Sequence, residues 1–309
     1  KKQVGLSLAP LSVDSSKLDI IQGDVTDRSS VTEALDGMDG VIHSASVYSM
    51  DKRRANEINT TNTKGAEIVL GEASEAGLDP IVHVSSITAI LSPIKRTVIS
   101  SEALPTPVKV GPYVDSKTEQ EIVARKLQSQ GAPIVITYPG AVMGPHDPHW
   151  GDGPFLVESI LRNKVPIAIN NRLPIVDVRD LAHLHSDVMK RGQGPRRFIM
   201  SGTPITFIEL VSLLRQLTCR KIPCATIPSW ILQPAVGFLD RFHRTIPFRI
   251  PITNEGLTIL KSDLKFDDSP TTDELGMEKT DLKKTMKDMV EWMHSTGRIP
   301  NHLAGTLLS

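Results

Sequence analysis

Between residues 18 and 200 the chain alternates short, unbroken apolar runs with longer segments of helical spacing. Leu18-Asp19-Ile20-Ile21 reads as a strand and ends in turn chemistry, Gly23-Asp24-Val25-Thr26-Asp27. Ser30-Val31-Thr32-Glu33 has the form of a capping box and predicts a helix running to about Leu35. Gly40 to Ala45 is the next strand and its exit, and a long helix is predicted from Arg54 to Ala76 with Gly77 as its stop. Pro80 to Val84 is a third strand and leads into Ser85-Ser86. The Pro- and Ser-rich stretch from Ser92 to Pro112 reads as a loop. A helix over Tyr113 to Gln130 and a strand over Pro133 to Tyr138 follow.

The strands are continuous rather than alternating in polarity. That pattern belongs to a doubly wound parallel sheet covered on both faces, an α/β fold with right-handed crossovers. After Pro139 the order loosens. Helices are predicted near Phe155–Arg162 and Val178–Met189, with strands at Leu173–Val176 and Phe198–Met200. The remainder reads as mostly helical, broken at Pro223, Pro228, Pro234, Pro247 and Pro251. Met286, Met289, Val290 and Met293 recur at helical spacing and are expected in a core. Trp230, Phe238, Phe242, Phe248 and Trp292 are expected either to line an apolar pocket or to pack in that core.

Composition narrows the function. The chain has 309 residues with 35 basic and 35 acidic side chains, so it lacks the basic excess of a nucleic-acid binder. Two cysteines do not make a disulfide framework, and a reducing cytoplasm is expected. No apolar run approaches the length of a membrane span, and the first residues lack the apolar stretch of a signal peptide. His146-Asp147-Pro148-His149 holds three candidate metal ligands but no further ligands at suitable spacing, so no metal is expected. His183 and His185 point to different faces of one helix and read as ordinary.

In a doubly wound sheet, ligands bind beyond the carboxyl ends of the strands. Gly23-Asp24, His43-Ser44-Ala45-Ser46, Ser85-Ser86 and Pro139-Gly140 each follow a predicted strand on that edge. Tyr113 and Lys117 lie four apart on a helix and so share a face. An ammonium beside a phenol lowers its pKa, and such a Tyr can exchange a proton with a carbonyl or alcohol oxygen. Ser86 is the natural hydroxyl to hold the same oxygen. A lone Tyr-x-x-x-Lys pair is weak; the ordered set of strand-end motifs gives it meaning.

Taken together these segments resemble the extended short-chain dehydrogenases/reductases, of the NAD-dependent epimerase/dehydratase superfamily. The resemblance is greatest to the branch of dihydroflavonol 4-reductase and 3β-hydroxysteroid dehydrogenase. It rests on Gly23 to Asp27, Val41 to Ala45, Asn62-Thr63-Lys64-Gly65, Val82 to Ser86, Tyr113 to Lys117, Tyr138 to Pro145 and Val176 to Ala182, all in family order. It implies a Rossmann-like fold with a smaller, mostly helical C-terminal substrate lobe. Residues 1–145 and 173–200 would form the dinucleotide-binding domain, and 146–172 with 201–309 the lobe. It implies NAD or NADP as cofactor, and a small carbonyl or alcohol substrate. Tyr113 would be the acid/base, and Lys117 would lower its pKa and hold the nicotinamide ribose. Ser86 would bind the reacting oxygen, with Ser85 and Thr88 as substitutes, and Asn62 would support the site through water. Asp24 and Val25 would meet the adenine. His43, Ser44, Ala45 and Ser46 would line the ribose and diphosphate, with Ser85 also beside the cofactor. Pro139, Gly140 and Val142 would pack near the carboxamide. A homodimer through the two long helices is implied by the same analogy.

Two departures stand out. The family motif before Pro139 usually begins with Arg, and here the residue is Tyr138. No Gly-x-Gly-x-x-Gly or Gly-x-x-Gly-x-x-Gly turn occurs in the 309 residues. The expectation is a longer protein that carries this turn upstream. Two rivals remain from sequence: a nucleotide-sugar epimerase or dehydratase using the same residues, and a dinucleotide-sensing binding protein without catalysis.

Overall fold

Continuous Val and Ile runs place apolar side chains on both faces of each strand, so a layer is needed on either side. The computed structural model describes residues 4, 5, 8, 11–92, 97–169, 171–241 and 253–308. Its strands are β1 (Val41–His43), β2 (Ile81–Val84), β3 (Ile134–Pro139), β4 (Ala141–Met143), β5 (Arg172–Asp177), β6 (Arg196–Met200) and β7 (Thr203–Thr206), with four two-residue segments that pair in two further ladders among the described residues. Strands β1, β2, β3 and β6 pair in that order, all parallel, with Val41 opposite Ile81 and Ile81 opposite Ile134.

The two faces are covered by different helices. On one, α1 (Arg28–Leu35), α2 (Gly65–Glu75) and α3 (Pro112–Ser129) bring Val31, Leu70 and Val114 against Ile81, Ile134 and Ile136. On the other, Leu181, Leu184 and Val188 of α5 (Val178–Val188) meet Val82, Val135 and Phe198. Each such side chain, fully buried, contributes about 1.5–3 kcal/mol. A second sheet pairs β4 with β5 in parallel and β5 with β7 antiparallel. Its core takes side chains from α4 (Asp152–Leu161), α6 (Phe207–Thr218) and α9 (Leu282–Ser295), and Met286, Met289, Val290 and Met293 are all fully buried there, as their spacing predicts. Gly140 stands where β3 gives way to β4. A Cβ there would lie 2.2 Å from the Ser201 carbonyl oxygen and 2.8 Å from that of Pro174, so only glycine lets the backbones pass.

Several expectations change. Leu18 and Ile21 are exposed, and among the described residues no strand pairs with 18–21. An apolar run without a ladder partner is not a strand. The first helix begins earlier than predicted: Asp27, not Ser30, caps it by accepting from Ser29 N, and Ser30 Oγ instead accepts from Asp24 N at 3.0 Å. The helix from residue 55 to 75 is continuous but carries a π-type turn at Thr60–Lys64, and Gly77 stops it with φ +70°. Within the predicted 92–112 loop, Val98–Ile99 pairs with Lys265–Phe266. Thr203–Thr206 is a strand that the sequence reading missed, because its Pro204 argues against one. Pro234 does not break the chain but lies inside α7 (Ser229–Arg241), at an exposed position. Trp230 and Phe238 are 72% and 65% exposed rather than packed, while Trp292 stacks near Trp150. Phe242, Phe248, Pro247 and Pro251 lie outside the described residues.

Candidate active site

Pro112 opens α3, its missing N–H costing nothing at a helix start. Tyr113 and Lys117 follow one turn apart, and both are buried, at 7% and 4% exposure. The end of β2 delivers Ser85 and Ser86 beneath them. Ser86 begins a tight turn over Ile87–Ile90, its Oγ accepting from Thr88 N at 3.2 Å and from Thr88 Oγ1 at 3.0 Å. The Tyr113 phenol meets both of these hydroxyls. Tyr48, in the loop after β1, sets its ring edge-on to Tyr113 at 4.8 Å.

The electrostatics differ from the sequence reading in one respect. Burial pushes the Tyr113 phenol up to about 12, with Ser86 and Thr88 pulling it back and Glu255 raising it further. Lys117 was expected to lower it, but its Nζ donates to the Val84 carbonyl at 3.2 Å. Burial depresses Lys117 itself to about 8, against the attraction of Glu121. Ser85 is also diverted from the phenol: its hydroxyl donates to Glu121 Oε2 at 2.9 Å. Ser86 and Thr88 are therefore the hydroxyls that meet the Tyr113 phenol.

Asn62 sits in the π-type turn, a feature frequent at functional sites. Its Oδ1 accepts from Val47 N at 2.7 Å, and its Nδ2 donates to the Val47 carbonyl and to Ser116 Oγ at 3.0 Å. These direct bonds hold the loop after β1 against α3. His43 pairs in register with His83, and their rings stack at 5.7 Å. Among the described residues, His43 Nε2 and both His83 nitrogens are buried without a hydrogen-bond partner. Burial, then Lys117, pushes His43 down to about 4, and burial holds His83 well below the usual imidazole range.

Beyond β1, Ser44 and Ala45 are exposed, and Ser46 Oγ is buried without a partner. The Asp24 carboxylate closes its own turn, accepting from Thr26 N and Oγ1 at 2.8 Å, which lowers its pKa. Val25 packs where Gly65 begins α2. Pro139 is buried, and Val142 is exposed beyond Gly140. The open strand ends, the unpartnered Ser46 Oγ and His43 Nε2, and a buried ammonium with one acceptor fit the sugar and nicotinamide half of a dinucleotide. The phosphate-cradling glycine turn has no counterpart in the sequence.

Three features escaped sequence reading. Tyr138, standing where the family usually has Arg, is fully buried and donates to Glu121 Oε1 at 2.6 Å. Arg125, one turn beyond Glu121 on α3, bonds the same carboxylate at 2.5 Å and Tyr138 Oη at 3.0 Å. The cation is thus supplied from the helix instead of the strand. Glu255 reaches α3 from 141 residues away, a distance no local motif reports. The segment Val176 to Ala182 proves to be a clamp: Asp177 and Asp288 both bind Arg179, Asp177 accepts from Thr285 Oγ1, and Asp180 accepts from Thr280.

The chain is similar over most of its length to a "Putative dihydroflavonol 4-reductase" of Synechocystis sp., 25% identical over 301 residues that cover 96% of this chain and 88% of the relative. It is likewise similar to "Sterol demethylase protein B" of Methylococcus capsulatus, 26% identical over 298 residues, covering 93% and 88%. Among solved structures, dTDP-glucose 4,6-dehydratase DesIV from Streptomyces venezuelae, crystallised with NAD, superposes with a TM-score of 0.72 at 21% identity, covering 96% of this chain and 85% of that one. The model of the NAD dependent epimerase/dehydratase family matches residues 6–200. With that match spanning the parallel sheet, its strand-end loops and the Tyr113 helix, the chain belongs to the NAD dependent epimerase/dehydratase family.

Proposed function

We propose that this chain catalyses hydride transfer between NAD(P) and a ketone, an aldehyde or the corresponding secondary alcohol, with Tyr113 as acid/base. The observation that carries this reading is the Tyr113 phenol, buried against the Ser86 and Thr88 hydroxyls with Lys117 one turn on, at the carboxyl ends of the parallel strands. The bound nicotinamide supplies or accepts the hydride. In reduction, Tyr113 donates its proton to the carbonyl oxygen. A phenol pushed up to about 12 is fully protonated at neutral pH, as an acid must be. Ser86 orients and polarises the same oxygen. Both hydroxyls stabilise the phenolate left behind, and the Lys117 ammonium opposes its negative charge. Lys117, His43, Ser44, Ala45, Ser46, Ser85, Pro139, Gly140 and Val142 are proposed to line the cofactor, with Asp24 and Val25 at the adenine and Asn62 holding the loop.

The reductase and sterol-related relatives favour a carbonyl substrate. Residues 146–172 and 201–309 are proposed as the substrate lobe, with 1–145 and 173–200 holding the cofactor; a second core built mostly from 157–161, 205–222 and 286–304, with Met143 and Ile175 joining it from the cofactor part, supports that division. A second reading, a nucleotide-sugar epimerase or dehydratase, draws support from the DesIV likeness. We also propose a cytoplasmic homodimer. Free thiols at Cys219 and Cys224 suit a reducing compartment, and Ile122 is 52% exposed on the outward side of α3, where helices would pair. Among the described residues no helix is long and apolar enough to cross a membrane.

Titration with NADH and with NADPH, followed by Trp fluorescence and melting temperature, tests the cofactor. Saturable stabilisation by one of them is expected. A reductase releases oxidised cofactor at each turnover, whereas an epimerase retains it. Stoichiometric release with a carbonyl substrate supports the first reading, and retention with activity on a nucleotide sugar supports the second.

A further inference from the structure

The N-terminus of α3 has no cap of its own. Gly111 occupies the N-cap position and carries no side chain. The first-turn N–H groups of a helix need an acceptor, which an N-cap side chain normally supplies to the second and third positions. Here Glu255 supplies it. Its Oε1 accepts from Val114 N at 2.7 Å, and its carboxylate also meets the Tyr113 N–H. Glu255 belongs to α8 (Asn254–Ser262), whose Leu257 packs with Val236 and Ile169 in a small cluster of its own, while Ile259 packs against the core that holds α3 on the parallel sheet. The carboxyl group is buried, and among the described residues its Oε2 has no hydrogen-bond partner. Gly111 makes room for it: a Cβ there would lie 2.5 Å from Glu255 Cδ.

We infer that Glu255 is a positioning residue, a cap donated across the fold that fixes the backbone of Tyr113 and Val114, so that the phenol's seat against Ser86 and Thr88 depends on where α8 sits. The inference rests on the acid/base reading of Tyr113. A helix N-terminus favours an anionic cap, yet burial raises Glu255 to about 7, with Asp115 raising it and Lys52 lowering it. The groups facing it are thus Asp115 and Tyr113 on α3 and Lys52 in the turn before α2. Its negative charge in turn raises the Tyr113 phenol. The cap therefore changes charge near neutral pH, and Tyr113 responds to that change.

The experiment compares full-length wild type, Glu255→Gln, Glu255→Ala, Gly111→Ala and Tyr113→Phe. The first readout needs no substrate: the backbone amide resonances of Tyr113 and Val114 across pH. In wild type they are expected to titrate together with a midpoint near 7, following the Glu255 carboxyl, and in Glu255→Gln they are expected not to. The second readout is turnover with NAD(P)H. Misplacing a reacting group by about 1 Å costs ~10²-fold. Glu255→Ala and Gly111→Ala are expected to lose up to that factor in kcat with little change in KM for the cofactor, and Glu255→Gln to recover most of it. Alcohol oxidation, which needs the phenolate, should rise at lower pH in Glu255→Gln than in wild type. A purely structural cap would leave that limb in place. The inference is overturned if the two amides do not titrate near 7, or if Glu255→Ala turns over like wild type while Tyr113→Phe is inactive. Full activity in Tyr113→Phe would instead overturn the acid/base reading itself.

Discussion

The two ends of α3 are built on opposite plans. Toward its C-terminal end, Glu121 is saturated: Oε1 takes Arg125 and Tyr138, and Oε2 takes Ser85. Toward its N-terminal end, Tyr113 and Lys117 are as deeply buried but sparsely partnered. Lys117 has one carbonyl, Tyr113 two hydroxyls, and the capping carboxylate keeps a bare oxygen. Buried polar groups in a fold are normally satisfied. The satisfied end joins helix to sheet, and the unsatisfied end is where a ligand's atoms would complete the bonding. Two buried tyrosines thus stand in different settings, Tyr138 tied into a closed network and Tyr113 at the open end where the proposed chemistry would take place.

Exchanging those parts is the strongest way to break the comparison. Tyr113→Phe should cut turnover by about 10²–10⁴-fold, the range of general acid–base catalysis, with little change in melting temperature. Tyr138→Phe should do the reverse, lowering the melting temperature while leaving Tyr113-dependent turnover largely in place. Equal effects of the two on turnover would erase the distinction.

Arg125→Met probes the satisfied end alone. It leaves the Glu121 carboxylate, which is wholly buried, without its cation. Removing one partner of a buried pair costs about 3–5 kcal/mol, so denaturant midpoints should fall steeply. A variant as stable as wild type would contradict the network.

Lys117→Met sharpens the other end. Folding depresses Lys117 from 10.5 to about 8, so between those values the unfolded chain binds more protons than the folded one. Wild-type stability should therefore rise with pH through that window, and the variant's should not. At neutral pH the variant should be at least as stable while losing turnover. Stability curves of the same slope in both proteins would argue against a buried ammonium.

The smallest effect concerns the histidine pair beneath the site. His43 and His83 are neutral when folded and titrate near 6.5 when unfolded. The unfolded chain binds more protons below that value, so stability is lost as pH falls toward the folded pKa. His83→Leu removes two unpartnered nitrogens and should flatten the acid limb with little change at pH 7, as read by urea midpoints from pH 4 to 7.

Much of this was legible in the chain itself. The Val/Ile runs at 81–84 and 134–138 announced a parallel sheet, and the residues after those strands and after Val41–His43 marked where the candidate site lies. The fold sets the Tyr113 phenol against Ser86, with Lys117 one helical turn on. What sequence reading could not reach depends on distant pairing. Leu18 to Ile21 has the composition of a strand, but a strand exists only with a neighbour. The substitution at Tyr138 looked like the loss of a contact until Arg125 was seen approaching from the adjacent helix. Glu255 is an unremarkable acidic residue in a helical stretch until the fold seats it beneath Tyr113. Lys117 was expected to act on the phenol through charge, but burial dominates both groups.

The most direct test of the account follows the hydride itself. The chain would be incubated with NADPH or NADH deuterated at the transferable position and a panel of ketones and aldehydes, and the products examined by mass spectrometry. The account predicts deuterium on the carbinol carbon of one product, one label per cofactor oxidised, and its loss in Tyr113→Phe. Unlabelled product, or turnover of a nucleotide sugar with the cofactor returned unchanged, would contradict it.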